Sequence, residues 1–147
     1  MPLLLLKVKR LSAVFWDVDG TLADTEMDGH RPAFNMAFQE LDLPFVWDEA
    51  LYNRLLAIPG GMRRVKLHAK TCGVHLSQNQ LDQVRDRKRA HYLERVRQGH
   101  VHLRPGVKRL LQELNRAGVQ QWIVTSSGSA SVMALLEQIH KQIPSFD

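Results

Sequence analysis

The feature that most constrains the fold is a short apolar run, Leu11 to Trp16, that stops abruptly at Asp17-Val18-Asp19-Gly20-Thr21. A continuous apolar run bounded by a turn signal suits a strand buried on both faces, as in a parallel sheet. A second run of this kind, Trp122-Ile123-Val124, ends in Thr125-Ser126-Ser127-Gly128. Between them the period is helical. Ala33, Phe34, Ala37, Phe38 and Leu41 recur at helical spacing, with Pro32 suited to a first turn. Residues 48–98 look wholly helical, broken at Pro59-Gly60-Gly61 and near Gly73. After Arg104-Pro105-Gly106, Val107, Leu110, Leu111 and Leu114 form a helical stripe that Gly118 would cap, and Val132, Leu135, Leu136 and Ile139 line a last helix. This order implies an α/β architecture, a Rossmann-like parallel sheet with right-handed crossovers. Residues 1–24 and 101–147 would form that core and residues 25–100 an inserted all-helical module.

A chain of 147 residues is about one ordinary domain. Its single cysteine, Cys72, excludes an internal disulfide framework and fits a reducing compartment. The apolar run Leu3 to Leu6 is too short for a signal segment or a membrane span. A cytoplasmic, monomeric protein without a membrane partner is expected. The formal charge of +5 favours acidic ligands only modestly. Arg85, Arg87, Lys88, Arg89, Arg95 and Arg97 make the densest basic stretch, which reads as a solvated helix face. With no zinc-finger spacing and no aromatic–basic alternation, nucleic acid is not an expected partner.

In an open parallel sheet, ligands gather beyond the carboxyl ends of the strands, and both polar clusters lie at such ends. Asp17 and Asp19, at alternate positions past a strand, can divide the work in one pocket. One carboxylate attacks an electrophile while the other moves a proton to and from the leaving group. Their hard oxygens also suit Mg²⁺, and Gly20 lets the backbone turn and aim amides at an anion. A solvated turn with two acids is the plain alternative. An EF-hand fails, because Leu22 stands at the sixth loop position and a strand precedes the loop. Thr125 to Ser129 offers hydroxyls and amides at a helix start, an anion seat; N-capping by Ser127 or Ser129 is the alternative. No Gly-x-Ser-x-Gly elbow supports a serine hydrolase. Phosphoryl transfer is the reaction class that joins the two halves.

The stretch Phe15-Trp16-Asp17-Val18-Asp19-Gly20-Thr21-Leu22-Ala23-Asp24-Thr25-Glu26 resembles the first motif of the haloacid dehalogenase superfamily, and Ile123-Val124-Thr125-Ser126 its second. Asp24 to Asn35 is similar to the corresponding stretch of CbbY-type sugar-phosphate phosphatases, in the β-phosphoglucomutase-like branch. That resemblance implies Asp17 as nucleophile and Mg²⁺ ligand, and Asp19 as general acid and base with its carbonyl on the metal. It implies Gly20, Thr21, Thr125 and Ser126 around the transferring phosphoryl group and Glu26 on sugar hydroxyls. His30, Arg31 and Arg64 would contact a remote phosphate, with Gly60 and Gly61 in a substrate-gripping cap loop. For His30 a hydrogen-bonded helix histidine, and for Gly60-Gly61 a turn, remain the plain alternatives. Met62 stands where that loop has a Lys. The implied substrate is a small phosphorylated sugar such as xylulose-1,5-bisphosphate; a sugar phosphomutase or a non-enzymatic interaction module are the alternatives. The resemblance spans about two thirds of a family member. No third strand, charge-neutralising Lys or metal-completing acidic pair follows Asp147, so weak activity and exposed hydrophobic sheet edges are expected of this polymer.

Overall fold

The structure, a computed structural model, describes residues 11–143. The run Leu3 to Leu6 and the segment after Ile143 lie outside the described residues. Strand β1 spans Ala13–Trp16 and pairs in parallel with β2, Gln120–Ile123, with Trp16 abreast of Ile123. The indole N–H of Trp16 donates to the Gln121 side-chain carbonyl at 3.0 Å, fixing the register from the side chains as well.

Between the strands come a π-helix, Thr25–His30, and helices α1 (Arg31–Glu40), α2 (Glu49–Leu55), α3 (Gly61–Thr71), α4 (Gln78–Arg97) and α5 (Val107–Arg116). After β2 the chain closes on α6, Ser129–Gln142. The helical breaks fall where the sequence puts them, at Pro59-Gly60-Gly61 and around Gly73. Helix α4 starts on a complete capping box, Ser77 with Gln80, which satisfies orphan backbone donors at its first turn. Pro32 sits in the first turn of α1, where its missing N–H costs nothing.

Two apolar clusters hold the molecule together. Val18, Leu22, Val101, Leu111, Leu135 and Ile139 belong to the first, against which Trp16 and Ile123 pack. Phe34, Phe38, Trp47, Tyr52, Val65 and Val84 belong to the second, inside the helical segment. The loop carrying Trp47 is pinned to α1 by a reciprocal pair: Asn35 Nδ2 donates to the Trp47 carbonyl at 3.0 Å, and the Trp47 N–H donates to Asn35 Oδ1 at 2.8 Å. The division between clusters runs through helices, not linkers. Ala33 on α1 and Tyr92 and Val96 on α4 join the first cluster, while Phe34 and Val84 on the same helices join the second.

Burial of the strands on both faces, expected from their apolar runs, is not observed. Phe15 is 68% exposed and Trp122 55%, because the first cluster covers only the sheet face that Trp16 and Ile123 present to it. Leu110, from the expected α5 stripe, is 42% exposed and does not join the apolar cluster. Side chains at alternate positions face opposite sides, so a sheet covered once leaves every second apolar residue to solvent.

Gly29 packs tightly against the side chains of Tyr92 and Val101. A Cβ there would stand 2.7 Å from Cε2 of Tyr92, so only glycine lets the π-helix lie against α4. Gly29→Ala is therefore expected to destabilise the fold by about 1–3 kcal/mol, the range for overpacking a tight core, read as a lowered urea midpoint. An unchanged midpoint would refute the close approach.

Candidate active site

The two strand ends meet. The Val124 N–H donates to the Trp16 carbonyl at 2.8 Å, carrying the parallel ladder one residue past β2. Beyond it each chain turns. The first loop is closed by Leu22 N–H to Val18 O (3.0 Å) and Gly20 N–H to Ala23 O (2.9 Å), with Gly20 at φ +72°, a backbone position that favours glycine. Arg104 reaches the Gly20 carbonyl and braces the loop from outside. Across the gap, the Ser127 hydroxyl donates to Asp19 Oδ2. Ser127 thus bonds the opposite loop instead of capping α6, whose N-cap is Gly128 without a side-chain bond; Ser129 does not cap it either. Thr125 Oγ1 accepts the Ser127 N–H at 3.1 Å and so shapes this second loop.

Asp17 is solvent-exposed, its Oδ2 accepting from Thr21 Oγ1 at 3.5 Å. Asp19 is half-buried, and its second oxygen, Oδ1, is buried without a hydrogen-bond partner. His30 Nε2 lies 4.0 Å from that orphaned oxygen. On the other edge of the ring, His30 Nδ1 is 3.0 Å from Lys88 Nζ. An ammonium group has donors only, so Lys88 donates to Nδ1 and the proton of the neutral imidazole sits on Nε2, facing Asp19. The three residues form a row: ammonium, imidazole, carboxylate.

Burial drives the electrostatics of this row. It lowers the His30 pKa to about 3, helped by the Lys88 charge and opposed by Asp19, so the ring is neutral at pH 7. Burial also lowers Lys88 to about 8, against the attraction of Glu26 and Asp19. The Lys88 ammonium lies 5.1 Å from the Phe34 ring centre and 5.2 Å from that of Tyr92, which partly replace its lost hydration. Behind it, the Tyr52 hydroxyl donates to Glu26 Oε2 at 2.6 Å; burial and that carboxylate both raise the Tyr52 pKa.

A cavity of about 450 Å³ opens on this row, lined among others by Asp19, His30, Lys88, Arg89, Tyr92 and Ser127. Gly61 and Met62 reach it from the start of α3. Several residues singled out by sequence are not on its wall. Asp17, Thr125 and exposed Ser126 lie at the strand ends beside it, and Gly60 is exposed with φ +86°. Arg31 is engaged elsewhere, 3.5 Å from the Trp47 carbonyl and 3.4 Å from Glu49 Oε1. Arg64 donates from Nε to the Ile58 carbonyl at 2.8 Å, with its guanidinium 6.0 Å from the Tyr52 ring centre. Lys88 is the residue that the basic stretch concealed. It occupies the apolar stripe Leu81, Val84, Tyr92, Val96 of α4, and a lone charge at such a position is a sequence signal for a buried cation.

For a divalent cation the donors are right in kind but too few. Asp17 and the Asp19 carbonyl supply hard oxygens, yet among the described residues no group of three or more His, Cys, Asp or Glu side chains could hold a metal ion.

The family model for haloacid dehalogenase-like hydrolase matches residues 11–146. The chain belongs to that family. It is 42% identical over 135 residues to the plasmid-encoded protein CbbY of Cupriavidus necator, covering 86% of this chain and 52% of that protein. The crystal structure of CbbY from Rhodobacter sphaeroides in complex with xylulose-(1,5)bisphosphate superposes with a TM-score of 0.69 at 30% identity, over 87% of this chain and 56% of the other. A predicted phosphoglycolate phosphatase from Haemophilus somnus shares the fold, with a TM-score of 0.73 at 22% identity over 87% and 57% of the two chains. The chain spans about half the length of the curated relatives it matches. Among the described residues no helix is long and apolar enough to cross a membrane.

The row makes a pH-dependent prediction. A lysine whose folded pKa is lowered binds its proton more weakly when folded, so folding is penalised below about pH 8 and relieved as pH rises toward 10.5. Wild-type stability should therefore gain on that of Lys88→Met by roughly 2–3 kcal/mol between pH 7 and pH 10.5, by urea unfolding. A constant difference across that range would show that Lys88 is not desolvated.

Proposed function

We propose that this chain carries the nucleophile, proton-transfer group and cap of a Mg²⁺-dependent phosphatase for small sugar phosphates, with xylulose-1,5-bisphosphate the foremost candidate substrate. The observation that supports this most is the joining of the strand ends through Ser127 and Asp19, under a cavity whose wall carries Lys88 and Arg89. The ligand of the Rhodobacter sphaeroides CbbY complex suggests the substrate.

In this mechanism the exposed carboxylate of Asp17 attacks the phosphorus of the bound ester. Asp19 enters this step protonated and gives that proton to the departing sugar oxygen, leaving an aspartyl-phosphate on Asp17, a free sugar hydroxyl and an Asp19 carboxylate. Water then attacks the aspartyl-phosphate. Asp19 takes its proton, and inorganic phosphate leaves. Hydroxyl and amide groups of Thr125 and Ser126 hold the phosphoryl oxygens between the two steps. A bound Mg²⁺ would be held by Asp17 and the Asp19 carbonyl and would screen the anionic charge of the phosphoryl group.

His30 and Lys88 serve Asp19. Lys88 fixes the ring tautomer, so the Nε2–H faces Asp19 Oδ1 across 4.0 Å and attracts that carboxyl without bonding it. Residues 25–100 act as the cap, bringing His30, Gly61, Lys88 and Glu26 over the strand ends. Glu26, already bonded to the Tyr52 hydroxyl, offers its remaining acceptor capacity to sugar hydroxyls.

Phosphate release from a panel of sugar mono- and bisphosphates with Mg²⁺ tests the assignment. Asp17→Asn should lower turnover by ~10³-fold or more, and Lys88→Met by ~10-fold to 100-fold in kcat with little change in fold content. No release from any ester by the wild-type protein, including the protein with any natural continuation, would refute the proposed activity.

A further inference from the structure

We propose that the outer face of α3 is a docking surface for an acidic polypeptide segment that carries one apolar anchor residue. The inference is independent of the phosphatase assignment. Arg63, Lys66, Leu67 and Lys70 fall at i, i+3, i+4 and i+7 of α3, one helical face, while Val65 and Ala69 are buried in the second apolar cluster. Past the helix end the chain turns back. Gly73, at φ +72°, donates its N–H to the Lys70 carbonyl at 3.1 Å, and the Val74 N–H donates to the Ala69 carbonyl at 2.8 Å, a Schellman closure. That closure brings Val74, His75 and Leu76 alongside the outer face, and together they bound a cavity of about 580 Å³.

The charges on this face are uncompensated. Arg63, Lys66 and Lys70 are exposed, and their side chains have no carboxylate, hydrogen-bond or ring partner among the described residues. Helix α3 contains no acidic residue, and among the described residues no carboxylate lines the cavity. The denser basic stretch on α4 differs: Arg85 pairs with Asp82 at 2.7 Å and Asp86 at 3.1 Å, and Arg87 with Glu40 at 3.2 Å. A purely solvated helix face would carry polar residues between its cations. Here Leu67 stands between them, 40% exposed, and half-buried Val74 and buried Leu76 continue the apolar floor into the second cluster.

Three uncompensated cations around an apolar floor match carboxylates around an apolar side chain. From Arg63 to Lys70 the face runs about 10 Å along the helix axis, close to two turns. An amphipathic segment with acids one turn apart on either side of a Leu-sized or Phe-sized residue would meet the cations and cover Leu67 and Val74. Covering them adds apolar burial to the ion pairing, which a simple inorganic anion could not supply. Nucleic acid fits less well. The cavity offers no Phe, Tyr or Trp ring for a base to stack on, and so short a row of cations neutralises few phosphates.

The test is fluorescence anisotropy with the 147-residue chain and a labelled synthetic peptide of about 15 residues, its glutamates one helical turn apart on both sides of a central leucine. Wild type should bind it with a Kd of about 10–100 µM, weakened several-fold by ~0.5 M salt. Lys66→Gln/Lys70→Gln should weaken binding by about 5-fold to 30-fold, whereas a matched exposed pair on α5, Lys108→Gln/Arg116→Gln, should leave it within about 2-fold. All four replaced side chains are exposed, so both variants should keep the wild-type circular dichroism. Replacing the leucine of the peptide by alanine should cost about 10-fold. No binding below about 1 mM, equal binding by the α3 and α5 variants, or undiminished binding of a peptide with glutamines for its glutamates would overturn the docking surface. A single-stranded oligonucleotide of equal charge that bound more tightly than the peptide, and lost affinity in the α3 variant alone, would overturn it in favour of a nucleic-acid face.

Discussion

The parallel pairing of two four-residue strands is the constraint on which everything else turns. Trp16 and Gln121, bonded side chain to side chain, are 105 positions apart in sequence, so the ladder closes a loop that contains nearly the whole helical segment. Loop closure on this scale costs entropy before any contact repays it. The repayment comes from the apolar cluster beneath the sheet, from Val18 and Leu22 on one side to Leu135 and Ile139 on the other. Because strand register is set by that cluster, the loops after Trp16 and after Ile123 have little choice about where they turn. Asp19 and Ser127 meet as a consequence of packing below them.

A second constraint is the cost of hiding a cation. Lys88 would be cheaper in water, and its lowered pKa records that cost. Two aromatic faces and a neutral imidazole offset part of it. The same low-polarity surroundings keep His30 unprotonated, which is what allows its Nδ1 to accept from Lys88 while Nε2 presents a hydrogen to Asp19. Protonation of the ring would leave Nδ1 a donor facing a donor. The row therefore works only while its middle member is neutral, and burial secures that.

Much of this was legible in the residues alone. The abrupt change from Phe15-Trp16 to Asp17-Val18-Asp19-Gly20 marks a strand end because apolar and acidic residues cannot share a buried strand. The helix breaks at Pro59-Gly60-Gly61 and Gly73 follow from backbone chemistry. What local pattern could not deliver was the fate of polar side chains with several possible partners. Ser127 reads as a cap and bonds Asp19; Arg31 reads as a phosphate ligand and bonds Trp47 and Glu49. Lys88 hid among five arginines, since charge runs are normally solvated and only its register with Leu81, Val84 and Tyr92 sets it apart. The π-helix at Thr25–His30 also had no periodic signature, because six residues are too few to show one.

Helix α4 roots Leu81 and Val84 in one apolar cluster and Tyr92 and Val96 in the other. Its 20 residues are thus a strut rather than a tether. Swinging the helical segment wide of the strand ends would strip apolar surface from one end of this strut or bend it mid-span, near Lys88. Opening for a ligand is consequently biased toward small tilts that keep both anchorages seated. A cavity hung from such a member changes its width while keeping the spacing between Arg85, Lys88 and Arg89 fixed, as a caliper jaw keeps its own shape while the gap varies.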